Sequence, residues 1–342
     1  MAQKAQYKVA VVGATGAVGD TLLSILAERQ FPISELVPLA SERSAGSRVA
    51  FKEKQLLVQN LDTYDFTGTD IALFSAGGSV SAKYAPRAAA AGCVVVDNTS
   101  HFRYDDDIPL IVSEVNPHAI AGYTKRGIIA NPNCSTMQML VALAPIQREV
   151  GITRINVATY QSVSGAGRSG LEELGKQTAD MLNFRELSVK KFQAQIAFNL
   201  IPQIDDFQPN GYTKEEMKMV WETQKIFEDL SIQVNPTAVR VPVFYGHSEA
   251  VHLETKSPIS IERVFELLRQ APGVTVVDER KPGGYPTPVT HAAGKDDVFV
   301  GRIRQDISHP NGIDLWVVSD NIRKGAALNA VQIAEILIRD YL

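Results

Sequence analysis

Cysteine is scarce in this chain: Cys93 and Cys134 are the only two in 342 residues. Neither stands in a CxxC or other metal-ligand spacing, and two thiols in unlike contexts make no disulfide framework. Zinc modules and small secreted scaffolds are therefore excluded, and no metal is expected. Long apolar runs are also missing: no window approaches the roughly 20 residues of a membrane span. The first residues, Met1 to Lys8, are polar and run straight into a strand pattern. They lack the basic n-region and apolar h-region of a secretory signal. The expectation is a cytoplasmic protein with no membrane partner. An excess of positive charge is lacking as well. A formal net charge of −4 argues against general nucleic-acid affinity. An anionic small molecule would have to be met by a few placed cations.

What is present is a globular composition, 45% apolar and 21% charged, at a length that favours two cores over one. The first third alternates strand and helix patterns. An apolar run at residues 7–12 ends on Gly13, and residues 17–29 then carry Val18, Leu22, Leu23, Ile25 and Leu26 at helical spacing. Residues 36–40, 71–75 and 94–97 read as buried strands, with an alanine-rich helix at 81–91 between two of them. Such alternation predicts an α/β domain, a doubly wound, Rossmann-type parallel sheet with helices on both faces. Beyond residue 130 the pattern changes. A helix is expected at 135–150, kinked or split by Pro145. Helices at 168–182 and 214–227 and strands at 155–162, 238–243, 249–255, 298–304 and 314–319 follow. Strands that succeed one another with few helices suggest an α+β domain with a mixed, largely antiparallel sheet. The expected division is 1–130 with the final helix, 321–342, as a dinucleotide-binding domain, and 131–320 as a catalytic and dimerisation domain.

Gly13-Ala14-Thr15-Gly16-Ala17-Val18-Gly19 joins the first strand to the first helix. Small residues let a backbone approach a pyrophosphate, and a helix N-terminus offers N–H groups and a positive dipole end. Glycines also make plain tight turns; here the position, strand before and amphipathic helix after, favours a dinucleotide site. Cofactor-lining positions are thus Gly13, Thr15, Gly16, Ala17 and Val18. After the second strand come Glu42, Arg43 and Ser44. Arg43 and Ser44 suit a 2′-phosphate and favour NADP(H), while Glu42 complicates that reading. Ser75 and Gly77 lie at the edge of another strand and either line the cofactor or make an ordinary turn.

The two cysteines have opposite surroundings. Cys93 precedes Val94-Val95-Val96 and should be packed. Cys134 sits among Asn133, Ser135 and Thr136 at a helix start, where a thiolate can be stabilised.

Asn131-Pro132-Asn133-Cys134-Ser135-Thr136 resembles the active-site signature of the aspartate-semialdehyde dehydrogenase family. Further matching segments run in order along nearly the whole chain. They include the Gly13 loop, the Ser41 to Gly46 segment, Asp97-Asn98-Thr99-Ser100-His101-Phe102-Arg103 and Gln161-Ser162-Val163-Ser164-Gly165-Ala166-Gly167. Glu222-Thr223-Gln224-Lys225, Arg240-Val241-Pro242-Val243, Gly246-His247-Ser248 and Ser319-Asp320-Asn321 continue the series.

The resemblance implies an NADPH-dependent reduction of aspartyl phosphate to aspartate semialdehyde and inorganic phosphate, through a thioester on Cys134. By the same resemblance, the product would feed lysine (by diaminopimelate), threonine and methionine biosynthesis. His247 would be the acid–base, Arg240 would hold the α-carboxylate and Glu222 the α-ammonium. Arg103 and Lys225 would meet the phosphate. Asn133 and Gln161 would orient the substrate, and Ser164, Gly165 and Asn321 would border the nicotinamide. A homodimer is implied too. Without the resemblance, Glu222 and Lys225 would read as a surface i,i+3 pair. The rival readings are an N-acylglutamyl-phosphate reductase, whose substrate has no free ammonium for Glu222 to meet, and a non-catalytic binding paralogue.

Overall fold

The computed structural model describes residues 4–342, in two compact units, Met1–Pro132 with Ala326–Leu342, and Asn133–Gly325. The first unit begins β1 (Tyr7–Val12), α1 (Ala17–Glu28), β2 (Ile33–Ala40), a hairpin of β3 (Arg48–Phe51) and β4 (Lys54–Leu57), and β5 (Gln59–Asn60). It continues β6 (Ile71–Phe74), α2 (Gly78–Ala90), β7 (Val94–Asp97) and β8 (Ile128–Ala130). One sheet, all parallel, runs β5-β2-β1-β6-β7-β8. Strands covered on both faces must be apolar throughout, and β6 and β7 are buried at every position. Leu22, Leu26, Ile71, Val96, Ile333 and Leu337 share the core, so the last helix of the chain belongs to this unit. The expected Rossmann-type architecture is the one observed.

The second unit opens with α3 (Cys134–Val150) and β9 (Ile152–Gln161), followed by α4 (Arg168–Leu182), α5 (Lys214–Ile226), β10 (Gln233–Arg240) and β11 (His247–Thr255). Then come α6 (Ile261–Gln270), β12 (Val274–Val276), β13 (Val298–Gln305) and β14 (Gly312–Ser319), and the chain ends on α7 (Asn329–Asp340) in the first unit. The sheet order is β10-β9-β11-β14-β13-β12. Its three central pairings, β9–β11, β11–β14 and β14–β13, are antiparallel, and the outer pairings at each end are parallel.

Two expectations need correction. Pro145 does not split α3, which runs unbroken from Cys134 to Val150. The helix is buried along most of its length against β9, β11, β13 and β14, and that packing outweighs one missing backbone hydrogen bond. The expected strand at 238–243 is really β10, which ends at Arg240, because residues 241–246 turn the chain back into β11. No helix among the described residues is long and apolar enough to cross a membrane.

Candidate active site

In the first unit, Gly13, Thr15, Gly16, Arg43, Ser44 and Ser75 line one cleft of about 420 Å³ at the carboxyl edge of the sheet. The glycines are there for room. Gly13 has φ +87°, and a Cβ on it would stand 3.0 Å from Ala76 N. A Cβ on Gly19 would stand 2.1 Å from the Gly13 carbonyl oxygen, so the helix could not seat against the loop. Gly16 caps α1 with no side-chain acceptor, which leaves the first-turn N–H groups, from Ala17 and Val18 onward, to an anion. Gly77 caps α2 at φ +102°. Glu42 is not among the lining residues, whereas Arg43 and Ser44 are. The cleft therefore fits a dinucleotide by its backbone and a further phosphate by its side chains.

In the second unit, the termini of four strands meet. Arg240 at the end of β10 pairs with Gln161 at the end of β9, and His247 begins β11 opposite Ser319 at the end of β14. Gly246, at φ +88°, makes the bend before His247. Cys134 is the first residue of α3. The Asn133 side chain caps that helix, accepting from Ser135 N–H at 3.0 Å and Thr136 N–H at 3.3 Å. A Cβ on Gly325 would come within 2.7 Å of the Cys134 Cβ, so glycine is required beside the thiol.

Charge is concentrated around these residues. Arg240 is 6% exposed, and its Nη1 donates to Ser162 O at 2.7 Å. Burial pulls its pKa down, and the nearby charges of Glu215 and Cys134 pull it up. Glu215 accepts from Asn133 Nδ2 at 2.9 Å, Gln161 Nε2 at 3.2 Å and Lys218 Nζ at 2.9 Å. Burial would raise its pKa, but the Lys218 ammonium, its hydrogen bonds and the Arg240 guanidinium prevail and hold it at about 2. Glu222 is fully buried and accepts the Asn133 N–H at 2.6 Å. His247 is also fully buried, and burial together with Arg240 pushes it down to about 3. Ser164 donates to Asn321 Oδ1 at 3.0 Å, beside the tight turn that holds Gly165. Arg103, in the first unit, donates from Nη2 to Asn98 O at 2.9 Å and is buried.

One more carboxylate lies on the same sheet face two residues beyond His247. Both oxygens of Glu249 are buried without a well-formed hydrogen bond. Burial pushes its pKa well above 4.5, opposed only by the Gln138 amide nearby. The folded protein thus keeps a proton that the unfolded chain sheds, and stability falls as pH rises above the ordinary carboxylate value. Glu249→Gln should be more stable than the parent, by a larger margin at pH 8 than at pH 5. Urea midpoints at the two pH values check this; parallel trends in both proteins would refute it.

The family model for the semialdehyde dehydrogenase NAD binding domain matches residues 8–123, and that for the semialdehyde dehydrogenase dimerisation domain matches residues 143–324. An aspartate-semialdehyde dehydrogenase of Legionella pneumophila is 64% identical over 334 residues, 98% of this chain and 96% of that one. The chain belongs to the aspartate-semialdehyde dehydrogenase family. A crystal structure of aspartate semialdehyde dehydrogenase II from Vibrio cholerae, complexed with ASA, has a TM-score of 0.97 at 62% identity, covering 99% of this chain and 100% of that one. The family's Candida albicans enzyme, solved with NADP, has a TM-score of 0.76 at 26% identity, covering 97% of this chain and 98% of that one. A nicotinamide dinucleotide is accordingly the cofactor of the first unit, and the reductase and non-catalytic rivals are set aside.

Against this aspartate-semialdehyde dehydrogenase framework, the structure brings Asn133, Cys134, Gln161, Arg240 and His247 together. It adds two residues that the sequence reading missed, Glu215 and Lys218. Lys218 Nζ bonds the Glu215 carboxylate at 2.9 Å, and Lys225 lies half-buried in the last turn of α5. Glu222 meets backbone rather than open space. The acid–lysine i,i+3 pattern occurs twice on α5, and only packing tells the two copies apart.

Proposed function

We propose that this protein reduces L-4-aspartyl phosphate to L-aspartate 4-semialdehyde with NADPH, releasing phosphate. The observation that carries this reading is the cluster in which Arg240 and Glu215 act on His247, the helix-start Cys134 stands beside Arg240, and Lys218 bonds Glu215. Cys134 thiolate attacks the acyl carbonyl and phosphate leaves, giving a thioester. The bound cofactor supplies the hydride. His247, as the acid–base, protonates the resulting oxyanion and takes the proton back as the thiohemiacetal collapses to aldehyde and Cys134.

Arg240 suits the α-carboxylate, a planar fork against a planar anion. Glu215, held ionised, takes the ammonium role first assigned to Glu222, which we instead give the task of fixing Asn133. Lys218, with Arg103, takes the phosphate role first assigned to Lys225. The product would enter lysine, threonine and methionine biosynthesis in the cytoplasm. The half-buried Tyr160 and Trp316 on the sheet face away from α3 support a homodimer. With the purified protein, NADP⁺ reduction should require both semialdehyde and phosphate. No turnover, or turnover equally good with N-acetylglutamate semialdehyde, would overturn the proposal.

Two narrower results are expected. Arg43→Ala should weaken NADPH binding and leave NADH binding little changed; equal losses in calorimetric titrations would remove Arg43 from the 2′-phosphate. Lys218→Ala should raise the apparent KM for phosphate on the order of 10-fold or more, as the loss of a charge-assisted hydrogen bond does. Lys225→Ala should leave that KM nearly unmoved, and the reverse order would restore Lys225 to the site.

A further inference from the structure

Neighbouring parallel strands that end together place the residues just beyond them side by side. Phe74 of β6, Asp97 of β7 and Ala130 of β8 are paired in register, and each closes its strand. Asn98 and Asn131, one residue further on, extend that row at the carboxyl edge of the sheet, where open α/β sheets hold their ligands. Asn98 N–H donates to Phe74 O at 2.9 Å, and Asn131 N–H donates to Asp97 O at 2.8 Å. The side chains then carry the row sideways. Asn131 Nδ2 donates to Asn98 Oδ1 at 2.6 Å and to Ala326 O at 3.1 Å. Asn131 Oδ1 accepts from Asn329 Nδ2 at 2.5 Å. Asn131 and Asn329 are fully buried, where amides are retained only with partners for both ends.

The order of these amides leaves each a single orientation. Ser113 N–H donates to Asn329 Oδ1 at 3.0 Å, and a backbone N–H can only donate. The other end of that amide is therefore Nδ2, which donates to Ile111 O at 2.8 Å as well as to Asn131. Asn131 must then turn Oδ1 to Asn329 and Nδ2 to the Ala326 carbonyl and Asn98. Asn98 accepts on Oδ1, and its Nδ2 donates to Phe74 O at 2.9 Å. A backbone group fixes each assignment, so flipping any one amide would set donor against donor or acceptor against acceptor. The row ends on a site residue, because buried Arg103 donates from Nη2 to Asn98 O at 2.9 Å. Asp97 braces the same segment: its carboxylate accepts from Ser81 Oγ at 2.7 Å, Thr99 N–H at 3.1 Å and Thr99 Oγ1 at 2.8 Å.

We propose that Asn131, held by Asn329 and acting through Asn98, is a positioning residue for Arg103, and thereby for the phosphate end of the substrate. The inference rests on the phosphate role given to Arg103 above and adds to it how the guanidinium is aimed. An arginine is a planar fork on a long flexible stem, and it meets an oxyanion best when the fork is held in place beforehand. The bond to Asn98 O sets the plane of that fork. It aims the guanidinium only as well as Asn98 O is itself fixed, and a residue just past a strand end ordinarily moves. Here the Asn98 backbone and side chain are both tied to Phe74 O, and Asn131 ties the same amide from the opposite side. The two asparagines of the Asn131-Pro132-Asn133-Cys134 motif thus have separate tasks. Asn133 caps the helix of the nucleophile, and Asn131 holds the segment that carries Arg103.

A double-mutant cycle in the reverse reaction tests this. Asn131→Ala should raise the apparent KM for phosphate roughly 3- to 10-fold, the scale of one buried hydrogen bond, and leave the KM values for semialdehyde and NADP⁺ within about 2-fold of the parent. Arg103→Ala should raise the phosphate KM further. In the Arg103→Ala background, Asn131→Ala should add less than about 2-fold, because its effect passes through the guanidinium. Asn98→Ala keeps the carbonyl that Arg103 uses and removes the side chain that Asn131 holds. It should behave like Asn131→Ala, and it carries the test if a thermal melt shows that Asn131→Ala does not fold. An Asn131→Ala effect that adds in full to that of Arg103→Ala, or that falls equally on every KM, would overturn the proposal and leave Asn131 a purely structural role. Binding of inorganic phosphate, followed by ³¹P line broadening, repeats the cycle without turnover. Absence of semialdehyde turnover in the parent would sink the functional reading and leave these titrations to decide the role of Asn131; a parent that bound no phosphate would overturn that role too.

Discussion

Cys134→Ser should lose at least about 10⁴-fold in turnover while its fold and cofactor binding survive, the scale seen when a covalent nucleophile is removed. A hydroxyl is far harder to ionise than a thiol, and the start of α3 supplies partial positive charge rather than a strong base. The companion experiment separates the two cysteines. Cys93 is 1% exposed, and burial, with Asp70 nearby, pushes its thiol well up, so it carries almost no thiolate near neutral pH. Cys134 is partly exposed at a helix terminus beside Arg240. One equivalent of an alkylating reagent at neutral pH should therefore modify Cys134 first and abolish activity in step, and phosphate with NADP⁺ should slow both. Cys93→Ser should cost stability at most. Rapid labelling of Cys93 with activity intact, or a serine variant that turns over near the parent rate, would refute covalent catalysis.

Much of this was legible because it is local. The Gly13 loop needs only a strand, tight glycines and a helix start, all contiguous, and the Cys134 motif contains its own cap in Asn133. Helix α6 was equally readable, with Ile261, Val264, Phe265 and Leu268 at helical spacing behind a Ser260 cap, but the reading passed over it. The choice between Glu215–Lys218 and Glu222–Lys225 was different in kind. The pairs are seven residues apart on one helix, close to two full turns, so they differ by only about 20° in azimuth. Periodicity places both on one face; only the height of β9 and β10 against α5 decides which pair meets Gln161 and Arg240.

The second large effect is expected at Arg240. Its guanidinium is buried, hydrogen-bonded to Ser162 O, and answers the charge of Glu215. Removing one member of a buried, hydrogen-bonded charge set typically costs about 2–5 kcal/mol, or roughly 30- to 5,000-fold in a rate or binding constant. Arg240→Leu should accordingly lower kcat/KM for semialdehyde by about 10³-fold, with most of the loss in KM if the group holds the α-carboxylate. Glu215 would keep its Lys218 partner, so the fold should persist, and circular dichroism with a thermal melt checks that. Arg240→Lys keeps the charge but not the planar fork, and should recover only a small part of the loss. The apparent KM for phosphate is the internal control. It should rise far less in Arg240→Leu than in Lys218→Ala, because the two cations serve opposite ends of the substrate. If Arg240→Leu raised the phosphate KM most, Arg240 would belong to the phosphate and the substrate would lie in the site the other way round.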